Sequence, residues 1–380
     1  MRAAVLEPEA TCVPALIELA ALSPERRAAI ATRASALVTA VRGSSDPGMM
    51  EAFLAEYGLS TDEGIALMCL AEALLRVPDA ETIDDLIQDK IAPHDWGAHV
   101  GDSGSILVNA STWALMLTGQ VLEEDNDKGI VSALRGMVRR LGEPVIRTAV
   151  ARVMREMGAQ FVLGRTIEEA MARGRSQEQR GYTYSYDMLG EAARTHDDAQ
   201  RYDEAYTAAL AAIGRAADAA SAVRQNPGIS VKLSALHPRY EVAQADVCVP
   251  VLRTRLLALA QAAKAAGIGL NVDAEEADRL DLSLDVIEAV IAAPSLRGWD
   301  GFGVVVQAYG QRARHVIKWI YEQAERHDRR VMVRLVKGAY WDSEIKQAQV
   351  LGVDGFPVFT NKAATDVSYI AHARTLLEMQ

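Results

Sequence analysis

VMVRLVKGAYWDS, residues 331–343, decides how the rest of the chain is read. It opens as an apolar, β-branched run, the pattern of a strand covered on both faces. Alternation with period two puts Met332, Arg334 and Val336 on one face and Val331, Val333 and Leu335 on the other. An arginine inside so apolar a strand is costly unless something anionic meets it. Gly338 then lets the backbone come close to a ligand, and Tyr340 and Trp341 add flat aromatic faces. Asp342 and Ser343 read as the cap of the next helix. Together these residues suit the floor of a site for a planar, anionic ligand.

Working outward, four more short strands are expected upstream, at 182–188, 229–233, 270–273 and 303–307. Ala-rich helices are expected between and after the strands, at 203–223, 251–266, 282–292, 311–327, 343–351 and 366–379. Strands alternating with helices argue for βα units and a parallel sheet. Their spacing, roughly 30 to 45 residues, approaches that of a (βα)8 barrel. No Gly-rich phosphate fingerprint follows the first strand, which speaks against a dinucleotide-binding fold.

The same parity rule sorts the side chains of every strand. Ile229, Val231 and Leu233 share a face opposite Ser230, Lys232 and Ser234. Asn271 and Asp273 oppose Leu270 and Val272, and Gln307 is in phase with Gly303 and Val305. In a barrel the apolar parity faces the helices and the polar parity lines the inside. Lys232, Asp273, Gln307 and Arg334 are therefore expected to converge at one mouth. Glu191, just after the first strand, is a further acid at that mouth. Glu275, Glu276 and Asp278 read as acids favoured near a helix start. His237-Pro238 reads as a turn, and Tyr182, Tyr184 and Tyr186 as packing residues.

Residues 1 to about 165 read as helix throughout. Ser23-Pro24-Glu25 sets a cap and a first-turn proline for an Ala-rich run. Ser60 with Glu63 forms a capping box, and Thr82 starts a short acidic helix closed by turn residues around Pro93. An amphipathic pattern over 129–162 carries Arg135, Arg139, Arg140, Arg147, Arg152 and Arg155. These arginines could face nucleic acid or phospholipid, but interspersed acids favour a solvated helix face. His94, Trp96 and His99 read as packing residues.

Composition closes off other classes. A net charge of -11 disfavours nucleic acid as the main partner. Cys12, Cys69 and Cys248 are far apart and form no CxxC, so neither a disulfide framework nor a zinc site is signalled. The acidic N-terminus is no signal peptide, and the most apolar early run, 106–122, is too short and too interrupted to span a bilayer. A cytoplasmic protein is expected.

RGYTYSYDMLGEAA (180–193), VKLSALHPRY (231–240), NVDAEEADRL (271–280), VVVQAY (304–309) and VRLVKGAYWDSEIKQAQ (333–349) resemble the proline dehydrogenase domain of the proline utilisation A flavoenzymes. EALLRVPDAETIDDLIQDKI and DWGAHVGDSGSILVNASTWAL resemble that family's helical N-terminal part. The resemblance implies an α/β chain of three parts. A helical arm occupies 1–45 and a helical α-domain 46–165. The first five βα units of a (βα)8 TIM-type flavin barrel follow over 166–380, truncated. It implies FAD as cofactor, oxidation of L-proline to Δ1-pyrroline-5-carboxylate, and electrons passed to a membrane quinone by peripheral association with the inner face of the membrane. An aldehyde dehydrogenase module in the full-length chain and a homodimer are the further partners implied, with no nucleic acid in this region.

By motif, the resemblance makes Lys232 the partner of the substrate carboxylate and sets Asp273 beside substrate and flavin. Tyr340 packs by the proline ring, and Glu191 is a gate acid. Ala274, Gln307, Arg334, Lys337, Gly338, Ala339 and Trp341 fall at cofactor contacts, and Asp273 and Arg334 are the catalytic pair. The family's last three strands, its FAD-binding histidine region and its substrate-binding arginine pair have no counterpart here. An N-terminal piece of a larger enzyme, inactive alone, is the expectation. Two other readings stay open: a Schiff-base lyase using Lys232 or Lys337, and a non-catalytic helical scaffold.

Overall fold

The computed structural model describes residues 2–43, 162–218 and 220–379. The expectations at Ser60, Thr82, Pro93, His94, Trp96 and His99, and the arginine-bearing helix, lie outside the described residues. The chain divides into two compact units, Met1–Arg27 with Thr166–Gln380, and Ala28–Arg165.

Helix α1 (Glu9–Ala20) precedes α2 (Pro24–Arg42), whose first turn is met as expected by the Ser23 hydroxyl, which accepts from the Arg26 amide at 3.3 Å. After α3 (Ile167–Glu178) the chain alternates: β1 (Ser185–Asp187), α4 (His196–Ala216), β2 (Gly228–Val231), a single turn α5 (Leu233–Leu236), α6 (Ala245–Ala265), β3 (Gly269–Val272), α7 (Leu280–Ile291), β4 (Phe302–Gln307), α8 (Ala313–Arg326), β5 (Met332–Val336), α9 (Trp341–Leu351) and α10 (Lys362–Glu378). The five strands form one parallel sheet in the order β1-β2-β3-β4-β5. All five strands fall where alternation put them, although β1 is shorter than the expected 182–188.

Register carries the parity across the sheet. Asp187 pairs with Ser230, Ser230 with Asn271, Asn271 with Gly303, and Val305 with Arg334. The opposite parity is the core: Ile229, Val231, Leu270, Val272, Val304 and Val306 are all buried under the helices. The inner face is concave, and one hydrogen bond shows it. Arg334 on β5 donates to the Ser185 hydroxyl on β1 at 3.0 Å. Four strand spacings in a flat sheet would separate those strands by about 19 Å, well beyond an arginine's reach.

Local chemistry moves several boundaries. Thr195 and Asp198 form a reciprocal capping box, so α4 starts at His196 rather than near 203. Asn361 caps α10, which starts at Lys362 rather than 366. Asp342 and Ser343 do not cap α9. That helix begins at Trp341 after Tyr340, and the Ser343 hydroxyl donates back to the Tyr340 carbonyl at 2.9 Å. β2 ends at Val231, so Lys232 follows the strand, its amide donating to the buried Tyr206 hydroxyl at 3.1 Å.

Within the first unit, α1 packs on α10. Leu16 meets Phe359, Ala364 and Ala371, with Cys12, Val13 and Leu19 around them. The Glu9 carboxylate accepts from the Thr360 amide at 2.6 Å, and Arg2 pairs with Asp285 on α7 at 2.7 Å.

Candidate active site

The inward residues meet at the carboxyl ends of the strands. The Lys232 ammonium lies 2.9 Å from Glu191, 3.0 Å from Asp273 and 3.3 Å from Asp187. An ammonium has three donors, and all three are taken. Arg334 donates to Ser230 at 2.9 Å and to Ser185 at 3.0 Å, and lies 3.4 Å from Asp273. Asp273 thus bridges the two cations. Three carboxylates face two cations, which leaves the cluster with one negative charge in excess.

Burial sets the electrostatics. The Glu191 side chain is 2% exposed and that of Asp273 12%. Desolvation raises both carboxyl pKa values, partly opposed by Lys232. Burial alone would lower the Lys232 pKa, but the hydrogen bond to Glu191 and the charges of Asp273 and Asp187 outweigh it, and the net shift is upward. Lys232 is therefore held as an ammonium.

Two loops rim this cluster, one after β3 and one after β5. Gln307 at the end of β4 joins them: its amide nitrogen donates to the Glu275 carbonyl at 2.9 Å and its oxygen accepts from the Ala339 amide at 3.2 Å. Glu275 is no helix-start acid. Its side chain is 5% exposed, accepts from the Ser234 amide at 3.0 Å and pairs with Arg279 at 3.2 Å. Ala274 and Gln307 also line a small cleft with Tyr240, Tyr309 and Arg312. Gly338 has φ of +140°, and a side chain there would run into the Tyr309 ring. Only glycine sits there without strain.

Of the residues singled out from sequence, Lys232, Asp273, Glu191 and Arg334 share the cluster. Tyr340 is half-buried at its rim, its hydroxyl pKa pushed up to about 12 by burial and by Glu275 and Glu276. Gln307 and Ala339 are joined to each other rather than to the cluster. Trp341 donates its indole N–H to the Phe359 carbonyl at 2.8 Å. Lys337, of opposite parity to Val336, pairs with Asp366 at 2.6 Å on an exposed surface. Sequence reasoning missed Asp187, Ser185 and Ser230 as members. The parity of β1 and β2 was the available signal, since Ser185 and Asp187 alternate with Tyr186. Among the described residues, no group of three or more His, Cys, Asp or Glu is placed to hold a metal ion.

Three family models match the chain. One described as proline dehydrogenase covers residues 170–380, and one described as the proline utilization A proline dehydrogenase N-terminal domain covers 1–42. A third, described as the DNA-binding domain of proline dehydrogenase, covers 49–161. That description runs against the expectation of no nucleic-acid partner there, and those residues lie outside the described ones.

The chain is 49% identical over 379 residues to the bifunctional protein PutA of Salmonella typhimurium, covering 99% of this chain and 29% of that protein. It is 50% identical over 368 residues to the PutA of Rhizobium meliloti, covering 97% of this chain and 30% of that one. Proline dehydrogenase 1 of Bacillus subtilis is 26% identical over 220 residues, 58% of this chain and 60% of that one. A crystal structure of a bifunctional proline utilization A protein superposes with a TM-score of 0.71 at 47% identity, covering 99% of this chain and 38% of that one. A mutant of the Bradyrhizobium japonicum protein gives 0.71 at 47% identity, covering 99% and 37%. The chain thus spans about 30% of the length of the Salmonella and Rhizobium relatives and less than two-fifths of the crystallised chains.

Proposed function

The chain belongs to the proline dehydrogenase family, and from that premise we propose that residues 166–380 form part of a (βα)8 barrel that oxidises L-proline to Δ1-pyrroline-5-carboxylate with FAD. The observation that carries the reading is the convergence of Lys232, Asp273 and Arg334 on one concave face.

The donor set fits FAD. Arg334 stands among the small side chains of Ser185 and Ser230, its guanidinium about a third exposed toward the open face. Gly338 lets the β5 loop pass close to that face, and Tyr340 rims it. Arg334 is the residue to hold the polar edge of the cofactor, with Ala274, Gln307, Lys337, Gly338, Ala339 and Trp341 as further contacts. FAD, when bound, supplies the acceptor for two electrons. Arg334 offsets negative charge that grows at that edge, a preorganised donor whose direction Ser185, Ser230 and Asp273 have already fixed.

The excess negative charge of the cluster suits the cationic secondary amine of proline, which Asp273 faces. The proline carboxylate is harder to place on Lys232, whose donors are all engaged. It can displace Asp187, the longest of the three contacts, or bind arginines that this stretch does not carry. Tyr340 limits the space to a small ring, and Glu191 guards the entrance from β1. The lyase reading fares worse, because imine formation needs a neutral lysine and the acids keep Lys232 charged. A purely structural core would be mostly branched aliphatic, which argues against the scaffold reading.

In the full gene product we place an aldehyde dehydrogenase module, a membrane quinone as electron acceptor reached by peripheral association of a cytoplasmic protein, and a homodimer. Among the described residues no helix is long and apolar enough to cross a membrane. Residues 1–380 by themselves are expected to be inactive. The test is anaerobic titration of the purified full gene product with L-proline. Loss of oxidised-flavin absorbance with L-proline supports the reading, whereas a colourless protein, or a flavin that proline leaves oxidised, overturns it.

A further inference from the structure

Ala277, in the loop after β3, is gripped at both ends of its backbone by buried charged side chains. Its amide donates to the Glu344 carboxylate at 2.6 Å. Its carbonyl accepts from the Arg312 guanidinium, also at 2.6 Å. Glu344 comes from the first turn of α9 and Arg312 from the residue preceding α8, and both are buried, at 6% and 4% exposure. Arg312 is itself fixed by Asp281 at 3.1 Å. The grip lies four residues beyond Asp273 and four residues beyond Tyr340, so it closes a bridge between the two loops that carry them.

The energetics favour a specific role over filler. A buried carboxylate is costly, and its usual compensation is a cation in contact. Glu344 has no ion pair among the described residues. Its carboxylate accepts from one backbone N–H, that of Ala277, and burial raises its carboxyl pKa. The acids Glu276 and Asp278 add to that rise and the charge of Arg312 opposes it. An alanine or leucine would fill the position more cheaply if packing were the only need. What the carboxylate supplies is an acceptor at the right place for the Ala277 amide.

We propose that Glu344 is a positioning residue. By holding Ala277 it locks the loop after β3 to the start of α9, so that Asp273 and Tyr340 keep a fixed separation across the substrate. The function of that separation rests on the proline-oxidising reading above, while the latch itself is a statement about the loop.

The experiment uses three variants of the full gene product, each read in two ways. Hydrogen exchange of the peptide spanning 274–279 reads the latch without any reference to activity. Steady-state kinetics with L-proline read its consequence. Glu344→Gln keeps an acceptor oxygen of the same reach and should match the wild type in both, within about twofold. Glu344→Asp keeps the charge but shortens the reach by one methylene, and Glu344→Ala removes the acceptor. Both should speed exchange of 274–279 by roughly tenfold or more and raise KM for proline several-fold, with a smaller fall in kcat. Should Glu344→Ala fail to fold, the Asp and Gln pair still decides. Unchanged exchange in Glu344→Asp, or a Gln variant as impaired as the Asp one, overturns the latch. Faster exchange with unchanged KM overturns its role in positioning. Faster exchange in a protein that does not oxidise proline at all overturns the functional reading and leaves the latch standing.

Discussion

Arg334 is tied to Ser185, Ser230 and Asp273 at the same time, so Arg334→Met should keep the fold while losing the donor. One such preorganised donor is worth on the order of 3 kcal/mol at a transition state. Flavin reduction by proline in the full gene product should therefore slow about a hundredfold, or flavin binding weaken to match, and full-speed reduction would dismiss the role. His372 offers a different test. It is buried, its Nδ1 meets the Ser368 hydroxyl at 3.1 Å and its Nε2 has no hydrogen-bond partner. Burial, aided by Arg314, lowers its pKa to about 4. The unfolded chain takes up this proton near pH 6.5 and the folded one only near pH 4, so stability falls as pH drops between those values. From pH 7 to pH 5 the loss is about 2 kcal/mol. Urea titrations of wild type and His372→Met at both pH values should differ by that amount, and parallel losses would refute it. At this scale the sequence was legible wherever a side chain's role follows from strand phase, as for Asp273 and Arg334. It was opaque for Glu344 and Glu275, each of which reaches a backbone amide on another element. An acid near a helix start looks the same whether it caps, floats in solvent or reaches across to a loop.

Element boundaries show the same division. β2 to β5 are legible from alternation and β-branched runs, because a pleated strand with one face under helices favours such residues. Helix starts were read less well: 203 was expected for α4, and the structure gives His196. The signal lies in Thr195 and Asp198, a capping pair upstream of the apolar run. Thr195→Ala should cost about 1 kcal/mol, and Thr195→Ser should recover most of it. Thermal unfolding of the three proteins measures this directly. An alanine variant as stable as the parent would mean that tertiary packing alone sets where α4 begins. The single turn α5 could not have been read from pattern, since Leu233–Leu236 is wholly buried and has no polar face.

At the scale of the molecule, β1 and β5 each pair on one side only among the described residues. β5 is half-buried along its whole length, whereas β4 is buried at every position but the last. Unpaired edges invite association. Residues 1–380 expressed alone and supplied with FAD should therefore aggregate or show little proline-dependent dye reduction. Turnover equal to that of the full gene product would show that nothing more is needed. The sheet also has a consequence for how it is made. Strand order follows chain order, and the paired residues lie close in sequence: Ser185 with Gly228, Gly228 with Gly269, Gly303 with Met332. Each new strand thus closes a loop of modest length onto the one formed just before it, and loop-closure entropy grows only slowly with length. Assembly can keep pace with synthesis from the first strand onward, one βα unit at a time. The contact between Arg334 and Ser185, 149 residues apart, must wait until β5 has joined a sheet whose earlier pairings are all local to neighbouring units.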